Sequence, residues 1–176
     1  MFATIYLPNF YLQAALRHQP ELRAKPTALI EEQEKKPVII QLNDAAEAVG
    51  IRKGMTPSQA LARYLQVIIK ARARSNEKSI QEILLQHAFT LSPQVEATAP
   101  GVATVQLTDK RNRTEKVSAV IERLAECEMN AQVGIAWTPD TSFLAAHLAR
   151  PVLYVDDVKQ FLGPLPIETL AISCRC

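Results

Sequence analysis

The order of apolar and amphipathic segments around residues 79–137 constrains the fold of this chain more than any other feature. Apolar residues recur at spacings of three and four in "SNEKSIQEILLQHAFTL" and again in "RTEKVSAVIERLAECEM", which predicts two amphipathic helices. Between them, "PQVEATAPGVATVQLTD" predicts a strand, a Pro-Gly turn and a second strand. A further strand, "AQVGIAWTP", follows the second helix. The chain begins with "MFATIYL", whose continuous apolar character is typical of a central strand.

Together these segments form a β-α-β-β-α-β set, which is the ferredoxin-like pattern. We therefore predict an α+β fold with a four-stranded antiparallel sheet, split after its first strand by an inserted small α/β lobe. In the insertion, "KPTALIEE" and "KPVIIQL" predict a hairpin or two adjacent strands. Asn43 and Gly50 are plausible cap residues of one short helix, and Thr56 with Pro57 begins the next. Later, "DTSFLAAHLAR" predicts a helix opened by Asp140 or Thr141, and "PVLYV" a last strand.

Composition excludes few classes of function. A chain of 176 residues with 48% hydrophobic content can form one domain or a domain plus a small lobe. The net charge of +2 lacks the strong basic excess of many single-module nucleic-acid binders. No apolar run reaches the ~18 residues of a membrane span, and "MFATIYLPNF" lacks a signal peptide's basic start, so we expect no membrane partner. Three cysteines without paired spacing favour reduced thiols and a cytoplasmic protein.

Motifs spanning nearly the whole chain carry a resemblance to a known family. They are "IYLPNFYLQAAL", "PELRAKPTALIE", "NDAAEAVGIRKGMTPSQAL", "AQVGIAWTPDTSFLAAHLARP" and "FLGPLPIETL". In order and spacing they resemble the Y-family (UmuC-like) translesion DNA polymerases, and the most specific piece is the run Gly50, Ile51, Arg52, Gly54 and Met55. The resemblance implies a palm from residues 1–10 and 79–160, fingers from 11–78, and the start of the thumb's helix-hairpin-helix at 161–176. The chain is then either a fragment or a natural short form.

The acidic residues of the family's catalytic motifs are missing. Y-family enzymes hold two Mg²⁺ ions with a carboxylate in the first strand and an Asp-Glu pair at the hairpin. By the resemblance, the first-strand position is Tyr6, the next alternate position is Pro8, and the hairpin pair falls on Gly101 and Val102. The resemblance therefore implies no catalytic residue, no metal and no cofactor, with Mg²⁺ only if the chain is an active enzyme. For Tyr6 we expect a residue at the edge of a sheet with its hydroxyl in solvent.

The family's nucleotide contacts are also altered. The fingers Tyr and Arg that hold the triphosphate fall on Asp44 and Glu47, whose charge would repel phosphate. The palm Lys falls on Arg150, which is still basic. Tyr11 falls at the bulky residue that excludes a ribose 2′-OH. We expect the floor of the cleft, near Tyr6, Tyr11 and Val102, to be neutral and partly filled by side chains.

Basic residues form two clusters that are candidates for contact with the DNA backbone. Their other interpretation is solvated charge beside buried strands. The candidates are Arg63, Lys70, Arg72, Arg74, Lys110, Arg111 and Arg113.

Other side chains that could bind a ligand or take part in catalysis have ordinary structural explanations. Replacement carboxylates for a metal site could come from Glu96, Asp109 or Glu115, but their spacing does not bring them beside Tyr6. Trp137 is predicted to lie in the core, with an exposed stacking or partner surface as the alternative. Three histidines on three separate predicted helices are expected to be packed or surface residues: His18, His87 and His147.

The pattern is closest to the ImuB-type branch, which consists of polymerase-like proteins without the catalytic acids. The resemblance implies an adaptor in DNA repair and translesion synthesis during SOS mutagenesis. It implies a RecA-like partner, an error-prone polymerase partner, a sliding clamp bound through a region outside this sequence, and weak DNA binding. Two alternatives remain: an atypical active translesion polymerase, and an unrelated ferredoxin-like binding module.

Overall fold

The computed structural model describes residues 1–31, 36–108, 113–167 and 169. The chain divides into two compact units, which we call unit 1 (residues 1–8 and 81–176) and unit 2 (residues 9–80). The strands are β1 Phe2–Tyr6, β2 Thr27–Ile30, β3 Ile39–Leu42, β4 Ile68–Ala71, β5 Val95–Ala99, β6 Val102–Gln106, β7 Gln132–Ala136 and β8 Val152–Tyr154. The helices are α1 Phe10–Ala15, α2 Asp44–Ala48, α3 Pro57–Arg63, α4 Arg74–Phe89, α5 Arg113–Glu126, α6 Pro139–Leu148 and α7 Val158–Leu162, with a 3₁₀ turn at Pro20–Leu22.

Unit 1 is built on one sheet with the strand order β5-β6-β1-β7-β8. β1 pairs antiparallel with both β6 and β7, so the predicted pairing of the first strand with the 102–108 strand is confirmed. The four predicted antiparallel strands are present, but the sheet is larger than predicted. β8 adds a fifth strand parallel to β7, because the chain returns from α6 to the start of β7, where the Val133 N–H donates to the Pro151 carbonyl at 2.8 Å.

The central strand of unit 1 is buried on both faces. Ala3, Thr4 and Ile5 are each 0% exposed, which fits a strand read as continuously apolar. Helix α6 packs on β1 and β7, and its approach depends on Gly134. A Cβ at this position would lie 2.2 Å from both the Ala146 nitrogen and the Ser142 oxygen, so only glycine fits between strand and helix.

Unit 2 has a three-stranded sheet with an apolar cluster on each face, and successive residues of β2 belong to different clusters. The strand order is β3-β2-β4, with β2 antiparallel to β3 and parallel to β4. Ala28 packs in a cluster with residues of α2 and α3, whereas its neighbour Leu29 packs with Leu12 and Leu16. Because successive side chains point to opposite faces, the sheet carries a cluster on each side.

The predicted caps in unit 2 are confirmed. The Asn43 side chain accepts from the Ala46 N–H at the start of α2, and Gly50 has the positive φ of 86° that glycine tolerates best. Thr56 and Gln59 form a capping box around Pro57 at the start of α3.

Two local predictions were wrong. The N-cap of α6 is Thr138, whose hydroxyl accepts from the Thr141 N–H, and Pro139 takes the first helical position. His18 lies in a turn and not on a helix, because α1 ends at Ala15. Within the described part of the chain, no helix combines the length and apolarity that crossing a membrane requires.

Candidate functional site

Tyr6, the position to which the resemblance assigns the family's first-strand carboxylate, lies at the end of the central strand of unit 1. Tyr6 is paired with Val102 on β6 and with Gln132 on β7. The next N–H, that of Leu7, donates to the Gly101 carbonyl at 2.8 Å. The expectation that Tyr6 lies at a sheet edge was therefore wrong, since strands flank it on both sides.

The Tyr6 ring is stacked on a histidine of α6. The ring centroids of Tyr6 and His147 are 3.9 Å apart with an interplanar angle of 23°. His147 Nδ1 lies 2.9 Å from the Phe143 carbonyl, to which an Nδ1–H donates. Burial lowers the pKa of His147, and burial raises the pKa of the Tyr6 hydroxyl. Both shifts favour the neutral forms, so an uncharged pair occupies this end of β1.

Below Tyr6, hydroxyl groups connect the sheet to α6. Thr98 donates to Thr104 at 2.7 Å, Thr104 and Thr4 are 3.2 Å apart, and Thr4 and Ser142 are 2.8 Å apart. Ser142 donates its proton to the Pro139 carbonyl at 2.7 Å. Because each hydroxyl has one proton, the donations run in one direction from β5 to α6. This interior is polar, neutral and satisfied without an ion.

These residues do not fit the family's two-metal arrangement. Val102 is 3% exposed and apolar, and Gly101 has no side chain, so neither side chain offers Mg²⁺ an oxygen ligand. Gly101 has a φ of 74°, and its N–H donates to Gln81 Oε1 at 2.8 Å. Among the residues that the structure describes, no three acidic, His or Cys side chains group as a metal site.

The replacement carboxylates are not brought to Tyr6. Glu96 is exposed on β5 and pairs with Thr104, which pairs with Thr4, so it belongs to the row below Tyr6 and lies two strands away. At about 4.8 Å per strand, that separation is about 10 Å. Glu115 is exposed in the first turn of α5, and Asp109 lies outside the described residues.

A cation is linked to the same end of the sheet through Gln132. The amide orientation of Gln132 that satisfies both of its neighbours donates to the Ala146 carbonyl and accepts from Arg150 Nη1, each at 3.2 Å. Arg150 also donates to the Ala149 carbonyl at 2.7 Å and is exposed. The guanidinium of Arg150, to which the resemblance assigns the palm Lys, thus lies beside Gln132, the β7 residue paired with Tyr6.

The other predicted nucleotide-site residues lie in unit 2. Asp44 and Glu47 are exposed in the first turn of α2, where negative charge is favourable to the helix dipole. Tyr11 lies under Arg72, whose guanidinium carbon is 3.9 Å from the centroid of the ring. The role of Tyr11 in excluding a 2′-OH stays a prediction.

Arg72 is the centre of an ion-pair network. It bonds to Glu77 through two nitrogens at 2.8 and 2.6 Å and to Glu31 at 2.9 Å. The Glu77 hydrogen bond is the largest cause of a raised Arg72 pKa. With two carboxylates and a ring around it, Arg72 has a structural role, and we do not retain it as a contact to the DNA backbone.

The remaining basic candidates differ in exposure. Arg63 is exposed and donates to the Gly50 carbonyl at 3.4 Å, and the Arg74 side chain is 60% exposed while reaching Glu31 at 3.3 Å. Lys70 and Arg113 are half-buried. Lys110 and Arg111 lie outside the described residues.

Several features of the site carried no signal in the sequence. Trp137 is 53% exposed, so its predicted place in the core was wrong; β7 ends at Ala136, and the ring lies in the turn before α6. The contacts of Tyr6 with His147 and of Gln132 with Arg150 join residues far apart in the chain. His87 is half-buried on α4, as expected of a packed residue.

Comparison with known proteins places this arrangement in a family. The model of the impB/mucB/samB family matches residues 5–147. The chain is similar to DNA polymerase IV of Shewanella pealeana, with 25% identity over 90% of this chain and 47% of that protein. It is similar to DNA polymerase IV of Pseudomonas syringae pv. tomato, with 23% identity over 92% of this chain and 48% of that protein. The chain thus spans about half the length of the curated relatives it matches.

Solved structures show the same fold. DinB from Sulfolobus solfataricus superposes with a TM-score of 0.82 at 16% identity, over 96% of this chain and 52% of that chain. An insertion ternary complex of Dbh DNA polymerase superposes with a TM-score of 0.83 at 15% identity, over 96% and 53% of the two chains. The alternative of an unrelated ferredoxin-like module is therefore wrong. The chain belongs to the impB/mucB/samB family and has the palm and fingers fold of Y-family DNA polymerases.

Proposed function

We propose that this chain is a non-catalytic, Y-family polymerase-like protein that acts as an adaptor in DNA repair and translesion synthesis during SOS mutagenesis. The observation that carries the proposal is the neutral stack of Tyr6 on His147 beside a buried Val102. In this proposal the positions that would hold magnesium ligands serve packing instead. Residues 1–10 and 79–160 then form the palm, 11–78 the fingers and 161–176 the start of the thumb, in the manner of the ImuB-type branch.

The charge requirements of nucleotidyl transfer support the proposal. Two Mg²⁺ ions must neutralise the charge that develops on the transferred phosphoryl group, and carboxylates must hold those ions. Tyr6, Gly101 and Val102 supply no carboxylate. The exposed carboxylates of Asp44 and Glu47 add negative charge where a triphosphate would need cations.

An atypical active translesion polymerase is the second candidate, because the curated relatives bear the name DNA polymerase IV. Primer extension with Mg²⁺ or Mn²⁺ separates the two, with the Shewanella pealeana relative as positive control. We expect no extension above the buffer control. Extension that is lost in Glu96→Gln or Asp109→Asn would refute the adaptor proposal and support the active enzyme.

We further propose weak DNA binding through six basic side chains of the two clusters. With about four to six phosphate contacts, the logarithm of affinity should fall against the logarithm of salt concentration with a slope of roughly −3 to −5. Fluorescence anisotropy with labelled single-stranded and primed DNA measures this slope. An interaction that does not change with salt would contradict contact with the backbone. The contacts proposed are Arg63, Lys70, Arg74, Lys110, Arg111 and Arg113.

The adaptor role requires protein partners, which we propose to be a RecA-like protein and an error-prone polymerase in the cytoplasm, with a sliding clamp bound through a region outside this sequence. Pull-down of purified candidates from the same genome tests this. Capture at micromolar concentration supports the role. Failure of both this chain and a longer form to capture them contradicts it.

A further inference from the structure

In the part of unit 1 that the structure describes, the outer edge of β8 is open for pairing. β8 is the last strand of the sheet, and among the described residues no strand pairs with its outer side. The Val133 N–H donates to the Pro151 carbonyl, and the Val155 N–H donates to the Ile135 carbonyl. Because backbone groups alternate between the two sides of a strand, the N–H and C=O groups of Val152 and Tyr154 point outward. Such an edge is a template for one more strand.

A groove of about 310 Å³ lies along this edge, between β8 and α7. Leu153 and Phe161 contribute apolar surface and pack against the buried Val155. The Tyr154 side chain is 48% exposed at one side of the groove. The open edge of β8 and the apolar floor of the groove are thus adjacent. A strand added to β8 could therefore place alternate side chains in the groove.

The charges at the end of the groove are negative. Burial and the neighbouring Asp156 carboxylate raise the pKa of the Tyr154 hydroxyl, and the Arg113 guanidinium acts in the opposite direction. Asp157 caps α7 by accepting from the N–H groups of Lys159 and Gln160 at 2.8 and 3.1 Å. The lining includes two carboxylates and no Lys or Arg. A ligand that carries a cation next to its apolar side chains is therefore favoured over a neutral or acidic one.

We propose that the β8–α7 groove is the docking site for an extended segment of a partner protein, with alternating apolar side chains and at least one Lys or Arg. The segment adds as a strand to β8, places an apolar side chain between Tyr154 and Phe161, and turns its cation toward Asp156 and Asp157. This inference rests on the proposed adaptor function and specifies how one partner is held.

Other occupants fit these features less well. A second copy pairing through its own β8 would add only the three residues Val152–Tyr154, whereas an extended segment can continue past them along the groove. A small molecule prefers a concave pocket that encloses most of its surface, whereas this groove is open along its length.

Selection from a library of displayed random peptides against the full chain tests the proposal directly. We expect enriched peptides with alternating apolar residues and a net positive charge. The most enriched peptide should slow hydrogen exchange at the amides of Val152 and Tyr154. N-methylation of alternate peptide amides should abolish binding in the register that faces β8 and spare it in the other register. This last comparison changes only the peptide and so does not depend on variant folding.

Protein variants then test the charges. Asp156→Asn combined with Asp157→Ser keeps a capping side chain on α7 while removing both charges. We expect peptide affinity to fall on the order of tenfold, which corresponds to about 1.4 kcal/mol. Asp44→Asn, which removes a negative charge in unit 2, is the matched control and should leave affinity unchanged.

Two results would overturn the inference: enrichment of no peptide with this pattern, or peptide binding that both the variants and the N-methyl series leave unchanged. A failure of the proposed adaptor function can be told apart from both of these results. Capture of the purified protein partners that survives the Asp156→Asn/Asp157→Ser change would leave the adaptor role intact and exclude this groove as its site. Primer extension by the chain would remove the adaptor role even if peptides bind β8.

Discussion

Two regions that carry family motifs differ in what their residues do. In unit 2, the motif residues between Asn43 and Thr56 hold the backbone. Asn43 accepts from the N–H groups of Ala46 and Thr27 and donates to the carbonyls of Arg23 and Lys25. Gly50 and Gly54 have φ values of 86° and 85°. These residue types match the family pattern, and each has a local structural reason.

At the strand end of unit 1, the resemblance assigns the charged positions of the family's motifs to residues without charge. Tyr6, Gly101 and Val102 have a ring, a hydrogen and an apolar side chain where the resemblance would place carboxylates. The backbone there is still tightly held, since Gly101 bonds to both Leu7 and Gln81. In both regions the side chains serve packing, so the comparison teaches that this fold can be held without charged side chains at the strand end.

The largest effect is expected at Gly134, where the family motif serves packing in unit 1. Gly134→Ala places a Cβ 2.2 Å from backbone atoms of α6 that cannot rotate away. We expect a loss of about 4 kcal/mol or more in the free energy of unfolding, measured by urea denaturation. Gly54→Ala is the control, because a Cβ there meets nothing within 4 Å and only the positive φ is strained, at about 1 kcal/mol. Equal losses would contradict the packing role of Gly134.

Val102→Glu tests directly whether the strand end can still accept a carboxylate. Val102 is 3% exposed, so the variant buries a charge without a partner, and we expect a loss of about 3 kcal/mol. Added Mg²⁺ should not restore the stability. Ala97→Glu on the exposed part of β5 is the control and should cost under about 0.5 kcal/mol. If Val102→Glu is tolerated and Mg²⁺ stabilises the variant, the strand end can hold a metal ion. The contrast between the two regions would then not hold.

Arg72→Met tests whether Arg72 stabilises the fold or instead contacts the DNA backbone. The variant removes two ion pairs and the contact with Tyr11, and it leaves Glu31 and Glu77 at 15% and 11% side-chain exposure without this cation. We expect a loss of about 2 kcal/mol in thermal or urea unfolding. Arg74→Met should cost under about 0.5 kcal/mol, since this side chain is 60% exposed. If Arg72→Met weakens DNA binding without changing stability, Arg72 returns to the set of backbone contacts.

The sequence predicted the parts of the fold whose cause lies within a few residues. The caps at Asn43 and Thr56, the positive φ at Gly50 and the order of elements all follow from neighbouring residue types. The strand predicted in "PVLYV" is present as β8, but its pairing with β7, the exposure of Trp137 and the Tyr6–His147 stack depend on where distant segments meet. That these positions carry no carboxylate is what the resemblance implies, whereas the packing of the residues that occupy them could not be predicted.

The smallest expected effect is a pH dependence from the ring that covers Tyr6. Burial lowers the pKa of His147 below the ordinary value of 6.5 that it regains on unfolding. Between these two pKa values the unfolded chain binds more protons, so the free energy of unfolding should rise with pH through this window and level off above about 6.5. Because the ring is only half-buried, solvent screening keeps this contribution under about 1 kcal/mol.

His147→Phe keeps an aromatic ring but cannot titrate, so its stability should rise less between about pH 5.5 and 7.5. His87→Gln, which removes a histidine from α4, is the control and should keep the full slope. Stability that falls with rising pH in the wild type but not in His147→Phe would mean that the strand end holds a charged imidazolium, and the neutral description of this site would be wrong.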